Sequence, residues 1–97
     1  MHVEFSLEAK AEFEEGERYY ECQVQGLGAQ FREDVKNALI RIRNWPLATQ
    51  IERGDIRRMM LSRFPYKLLY SVEVDRVYII ALAHLHRAPD YWINRGK

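Results

Sequence analysis

Small or apolar residues stand at Ala9, Phe13, Gly16 and Tyr20 in the first quarter of the chain. That spacing predicts an amphipathic helix from Leu7 to about Val24. The opposite face is acidic, with Glu8, Glu12 and Glu15 in line and Glu14, Glu17 and Glu21 beside them. Residues 2–6 read as a short strand, with Val3 and Phe5 on one face. Ser6 is placed to cap the first turn of the helix, where its hydroxyl can accept from free amides. Gly26-Leu27-Gly28 interrupts the pattern. It resumes from about Ala29 to Asn44, with Phe31, Val35, Leu39 and Ile42 on one stripe and Ala38 next to them. Two such helices around a short glycine loop predict a helical hairpin. Pro46 ends the second, because the residue before proline avoids helical angles.

Residues 46–54 read as an irregular connection. Three strands are predicted beyond it, over residues 56–64, 66–73 and 76–84. Leu68, Tyr70 and Val72 alternate with polar neighbours, so one face of the second is core. Residues 77–83 are almost continuously apolar, as in a central strand covered on both sides. The gaps at Pro65 and Val74-Asp75 have room only for antiparallel hairpins. Residues 89–95 are expected to form a short terminal helix or turn. The expected class is α+β: an N-terminal strand, a helical hairpin, then a three-stranded antiparallel sheet, in one domain spanning residues 1–97. Phe13, Tyr19, Tyr20 and Phe31 are expected to fill the space between helices and sheet.

Composition narrows the function classes. The 97 residues carry a net charge of +1, so bulk charge points neither to nucleic acid nor to a membrane surface. The distribution is uneven. Residues 1–50 hold six Lys/Arg against nine Asp/Glu, and residues 51–97 hold nine against five. A basic face on the C-terminal half is one reading and ordinary solvated surface the other. No apolar run approaches the roughly 20 residues of a membrane span, and the N-terminus lacks the pattern of a signal peptide. The lone Cys22 makes no internal disulfide and suits a reducing compartment. It is expected as a small, partly buried hydrophobe. A cytoplasmic location is therefore expected.

The candidate chemistry lies in Arg57, Arg58, Arg63, His84, His86, Arg87 and Tyr91, with Trp92 beside them. His84 and His86, two apart, would face the same way on a strand. They lack a third ligand at metal-binding spacing, so no metal and no cofactor is expected. Several pieces occur in order: Ala11-Glu12-Phe13 with Tyr19-Tyr20; Gly26-Leu27-Gly28-Ala29-Gln30-Phe31; Ile56-Arg57-Arg58; Arg63-Phe64-Pro65-Tyr66; and residues 80–89 leading to Tyr91-Trp92 and Arg95. In these the chain resembles the RelE/ParE superfamily over nearly its whole length, and its ParE-type plasmid stabilisation branch most of all.

The resemblance implies the toxin of a type II toxin–antitoxin pair, bound by a cognate antitoxin. RelE-like members cut messenger RNA on the ribosome without a metal. On that pattern Arg63, His84 and Arg87 would be the catalytic residues, with Arg63 as a phosphate-binding arginine near a strand end. ParE-like members share the fold but are described as inhibitors of DNA gyrase. For them Arg57, Arg58, Arg63, His86, Tyr91 and Trp92 are the target-binding candidates. Only Lys10, Lys36, Lys67 and Lys97 are lysines, and Lys67 alone falls in a predicted sheet strand. That is sparse for a protein gripping ribosomal RNA, where phosphate contacts dominate affinity. The ParE-like reading is therefore favoured, with the ribosome-dependent endonuclease and a non-toxic binding partner as alternatives. A homodimer or a toxin–antitoxin hetero-oligomer fits either target.

Overall fold

The computed structural model describes residues 2–95. The elements in chain order are β1 (His2–Phe5), α1 (Leu7–Gln23), α2 (Leu27–Asn44), β2 (Gln50–Arg53), β3 (Ile56–Met60), β4 (Tyr66–Val72) and β5 (Arg76–His84). They form one sheet in the order β1-β5-β4-β3-β2, with the helical hairpin packed on one face. Among the described residues no helix is long and apolar enough to cross a membrane.

The sheet is wider than its sequence pattern suggests: five strands instead of three. β1 pairs in parallel with β5, Val3 opposite Val77 and Phe5 opposite Ile79. β2 pairs antiparallel with β3 through an irregular step between Ile51 and Arg53. Its sequence, Gln-Ile-Glu-Arg, shows no alternation because it forms an edge whose side chains are mostly exposed. β3–β4 and β4–β5 are the expected antiparallel hairpins.

β3 stops at Met60, short of the expected Phe64. The buried Asp34 carboxylate on α2 accepts the amides of Ser62, Arg63 and Phe64 at 3.3, 2.8 and 3.0 Å. Those three donors are drawn out of the sheet ladder into a loop. Residues 85–95 form turns and no helix; they fold back on the sheet and bury Trp92.

The helices begin where their caps dictate. Ser6 Oγ accepts from the Ala9 amide at 3.0 Å and donates to the Ile80 carbonyl at 3.1 Å, tying the start of α1 to β5. Gly26, at φ 90°, turns the chain into α2. Gly16 belongs to the apolar stripe for lack of room. A Cβ there would lie 2.7 Å from Cζ of Phe31.

Two cores result. The one under the helices joins Ala9, Phe31, Val35, Ala38 and Ile42 to Leu68, Tyr70, Val77, Ile79 and Leu82. The one on the far face joins Ile56, Leu69, Ile80, Ala81 and Ala83 to Trp92. β5 contributes to both, as its unbroken apolar run requires. A register shift in its pairing with β4 lets neighbouring residues Ile80 and Ala81 enter the same core. Two side-chain expectations fail. Cys22 is exposed, and Tyr19 is 57% exposed, edge-on to Tyr20 at the rim of the aromatic cluster. Cys22 lies on the solvent side of α1, and Tyr19 lies at the rim of the cleft beside Tyr66 and His84.

Candidate functional site

β1 ends opposite Ile79, so the rest of β5 has no strand on that side. α1 covers this edge, and Glu12 serves it. Its Oε1 accepts from the Leu82 amide at 3.0 Å and from Arg95 at 2.9 Å. Its Oε2 accepts from the Tyr91 hydroxyl at 2.6 Å and from the second Arg95 nitrogen at 2.9 Å. Arg95 also donates to the Ile80 carbonyl at 3.1 Å. The Glu12 and Arg95 side chains are only 12% and 16% exposed, so this is a largely desolvated, bidentate pair. The Arg87 guanidinium lies 3.9 Å from the Tyr91 ring centre and 3.9 Å from the Glu12 carboxylate. Burial, then the bond to Glu12, pushes the Tyr91 phenol well above its ordinary value. The bond to Glu12 raises Arg95 further against the opposing effect of burial.

His84 stands at the end of β5, its ring 5.0 Å from Tyr66 and 5.1 Å from His86. His86 lies in the turn beyond the strand, so the shared strand face expected for the pair is not what joins them. Instead the His86 amide donates to His84 Nδ1 at 3.1 Å. Tyr66 is pushed up to about 12 by burial and then by Tyr20. The Tyr91 hydroxyl acts as a hydrogen-bond donor, to Glu12. His84 and Arg87 line a cleft of about 340 Å³ together with Glu12, Glu15, Tyr19 and Tyr66.

The remaining candidates lie elsewhere. Arg57 on β3 donates to the carbonyls of Leu47 and Thr49 at 3.2 and 2.5 Å and so pins the 45–49 connection. Tyr70 braces the same segment through the Pro46 carbonyl at 2.8 Å. Arg58 bonds Gln50 and Glu52, and Lys67 bonds Glu52 at 2.7 Å. Arg63 sits on the Asp34-held loop with an exposed guanidinium, 3.1 Å from Gln30 on α2. Trp92, expected to touch a target, is 6% exposed and packs in the far-face core. Its ring anchors the terminal segment and leaves no surface for a partner.

Glu12, Asp34, Glu52 and Arg95 were not among the sequence candidates, yet they order the region. Glu12, expected on the acidic face opposite the apolar stripe, instead turns inward: three residues after Ala9 and four before Gly16, it lies beside the buried stripe and is only 12% exposed. Among the described residues no cluster of His, Cys, Asp or Glu could hold a metal.

Burial would raise the Glu52 carboxyl, but the bonds from Lys67 and Arg58 outweigh it and hold the group below the ordinary 4.5. A carboxylate lowered on folding contributes stability in full above its unfolded value and loses it as pH falls through the folded one. The unfolding midpoint should therefore fall as pH drops below about 4.5. Glu52→Gln should flatten that part of the profile. Identical profiles for the two proteins would remove Glu52 from the account.

No family model matches the chain, and no curated protein matches it. Among solved structures, a chain from the "Chromosomal ParDE TA system from P. aeruginosa" superposes with a TM-score of 0.67 at 13% identity, over 88% of this chain and 96% of that one. At that identity the likeness is one of fold alone: a strand, two helices and then a sheet of several strands.

Proposed function

From that shared fold we propose that this chain is the toxin of a toxin–antitoxin pair, that it works in the cytoplasm, and that it acts by binding a protein, with DNA gyrase as the target. A cognate antitoxin neutralises it. The observation that carries this reading is the pairing of the cations. A ribonuclease of this fold needs basic groups free to meet a phosphate in its transition state. Here Arg87 and Arg95 face Glu12, Arg58 and Lys67 share Glu52, and Arg57 is spent on backbone carbonyls. The catalytic trio of the endonuclease reading is also divided. His84 and Arg87 share a cleft, whereas the Arg63 side chain is held at Gln30.

Controlled expression with separate pulse-labelling of DNA and protein tests the proposal. Early loss of DNA synthesis with the DNA-damage response is the expected outcome. Early loss of translation with cut messages would replace it with the endonuclease reading. Unimpeded growth would leave only a non-toxic binding role.

Arg63 is the exposed cation of a loop held rigid by three hydrogen bonds to Asp34. Arg63→Ala should weaken target binding about tenfold, the scale of an interface arginine, with the unfolding midpoint unchanged. Full affinity in the folded variant would exclude Arg63 from the interface.

A further inference from the structure

β2 is the edge of the sheet farthest from β1. Its backbone directions follow from β3. The Leu61 amide donates to the Tyr66 carbonyl at 2.9 Å, so Leu61 faces the β4 side. Hydrogen-bonding direction alternates along an antiparallel strand, so Met59 and Arg57 face β4 as well, while Met60 and Arg58 face β2. Gln50, opposite Arg58, therefore turns its N–H and C=O inward, and Ile51, opposite Arg57, turns its own pair outward. That open pair is a template for another strand.

An apolar patch adjoins it. Trp45, Leu47 and Ile51 are each more than half exposed. Arg57 joins the last two: it opposes Ile51 in the ladder and bonds the Leu47 carbonyl. A turn closed by the Ala48 amide on the Trp45 carbonyl, at 3.2 Å, brings Trp45 into the same connection. The charges of β2 and of the β3 residues beside it are engaged within the chain. Arg53 pairs with Asp90, Arg58 and Lys67 share Glu52, and Arg57 holds backbone carbonyls. Asp55, in the turn between the two strands, is not free either.

We propose that this edge is the contact face of a homodimer, in which two β2 strands pair antiparallel about a twofold axis at Ile51. The Ile51 N–H of each copy donates to the Ile51 C=O of the other, and the two five-stranded sheets become one. Ile51 lies on the helix side of the sheet, the side of Arg57 and Tyr70. The twofold sets it beside its own equivalent, with Leu47 and Trp45 of each copy next to the junction. Charge selects a second copy as the occupant. A partner chosen by charge would need free ions on these strands, and theirs are spent. Counted from Ile51, the twofold puts Gln50 opposite Glu52 and Thr49 opposite Arg53, so no like charges face each other. The irregular step after Ile51 and the four-residue length keep the pairing short. Three side chains cover less than the about 800 Å² per partner of a standard interface. The dimer is therefore weak, and its population depends on concentration.

Sedimentation of the full chain from about 1 µM to about 1 mM, the range that suits a small interface, should show the average mass rising from 11.6 kDa towards twice that value. Trp45 emission should shift to the blue over the same range, since Trp92 is already buried. Ile51→Lys sets two like charges face to face and should weaken the dimer by about tenfold or more, with the unfolding midpoint unchanged. Leu7→Lys, the same kind of change at an exposed residue of α1, should leave dimerisation within about twofold. Hydrogen exchange should show the Ile51 amide protected at the high concentration and not at the low one. A mass of 11.6 kDa throughout would overturn the proposal. A dimer that Ile51→Lys leaves intact would place the contact on another face and overturn it too. Dimerisation without protection of the Ile51 amide would overturn strand pairing, and masses climbing past the dimer would overturn the closed twofold. None of these outcomes involves a partner protein, so each leaves the toxin reading where it stands.

Discussion

Glu12→Ala is expected to cost about 3–5 kcal/mol of stability, the scale for removing one member of a buried ion pair. The substitution removes a charge and leaves three groups unpaired. The Arg95 guanidinium loses both bonds that its charge requires, at 2.9 Å each. The Tyr91 hydroxyl and the Leu82 amide lose their acceptor, and each unmet buried donor adds its own desolvation cost. The terminal segment loses its tether to α1, and lifting it exposes Trp92. The loss should therefore appear in two signals: a lower denaturant midpoint, and a red-shifted Trp92 emission in a background where the exposed Trp45 is replaced by Phe. Glu12→Gln keeps an acceptor in place and should lie between the two proteins. A midpoint unmoved by Glu12→Ala would mean that the terminal segment is held by Trp92 packing alone.

Phe31→Ala should cost about 3–5 kcal/mol as well, by a different route. Its side chain is fully buried where both helices meet the sheet. Its ring centre lies 6.1 Å from Phe13, 5.3 Å from Tyr20, 5.3 Å from Phe64 and 5.1 Å from Tyr66. Truncation leaves a void between four rigid rings on α1, the loop after β3 and β4, which cannot collapse together. Gly16 approaches the same ring, so Gly16→Ala with Phe31→Ala should recover part of the loss by refilling the space. A single-variant loss below about 1 kcal/mol would show a cluster loose enough to rearrange.

What could be read in the sequence follows from how locally each feature is specified. Both helices, the Ser6 cap, the glycine hairpin and β3 to β5 are written in residues a few positions apart. The β1–β5 pairing is not, because Val3 and Val77 are joined only by the finished fold. β2 was missed because an edge strand with one apolar residue carries no alternation. At the candidate site the residue types were visible and their partners were not. Arg87 and Tyr91 stood out as chemistry, but their meaning depends on Glu12, which reaches them across the sheet edge. Arg57, a target-binding candidate by sequence, bonds the Leu47 and Thr49 carbonyls and so braces the 45–49 connection. Trp92 looked like a contact residue and is an anchor, since the terminal segment closes over the second apolar face of β5.

With Arg58, Lys67, Arg87 and Arg95 facing acids and Arg57 held by backbone carbonyls, the proposed mode of action is binding of a protein, with no message cut. It is tested most directly by titrating the purified chain into DNA gyrase supercoiling reactions and, in parallel, into ribosomes translating a defined message. Stoichiometric loss of supercoiling with the message intact is expected. Cleavage of the ribosome-bound message, with supercoiling untouched, would contradict it.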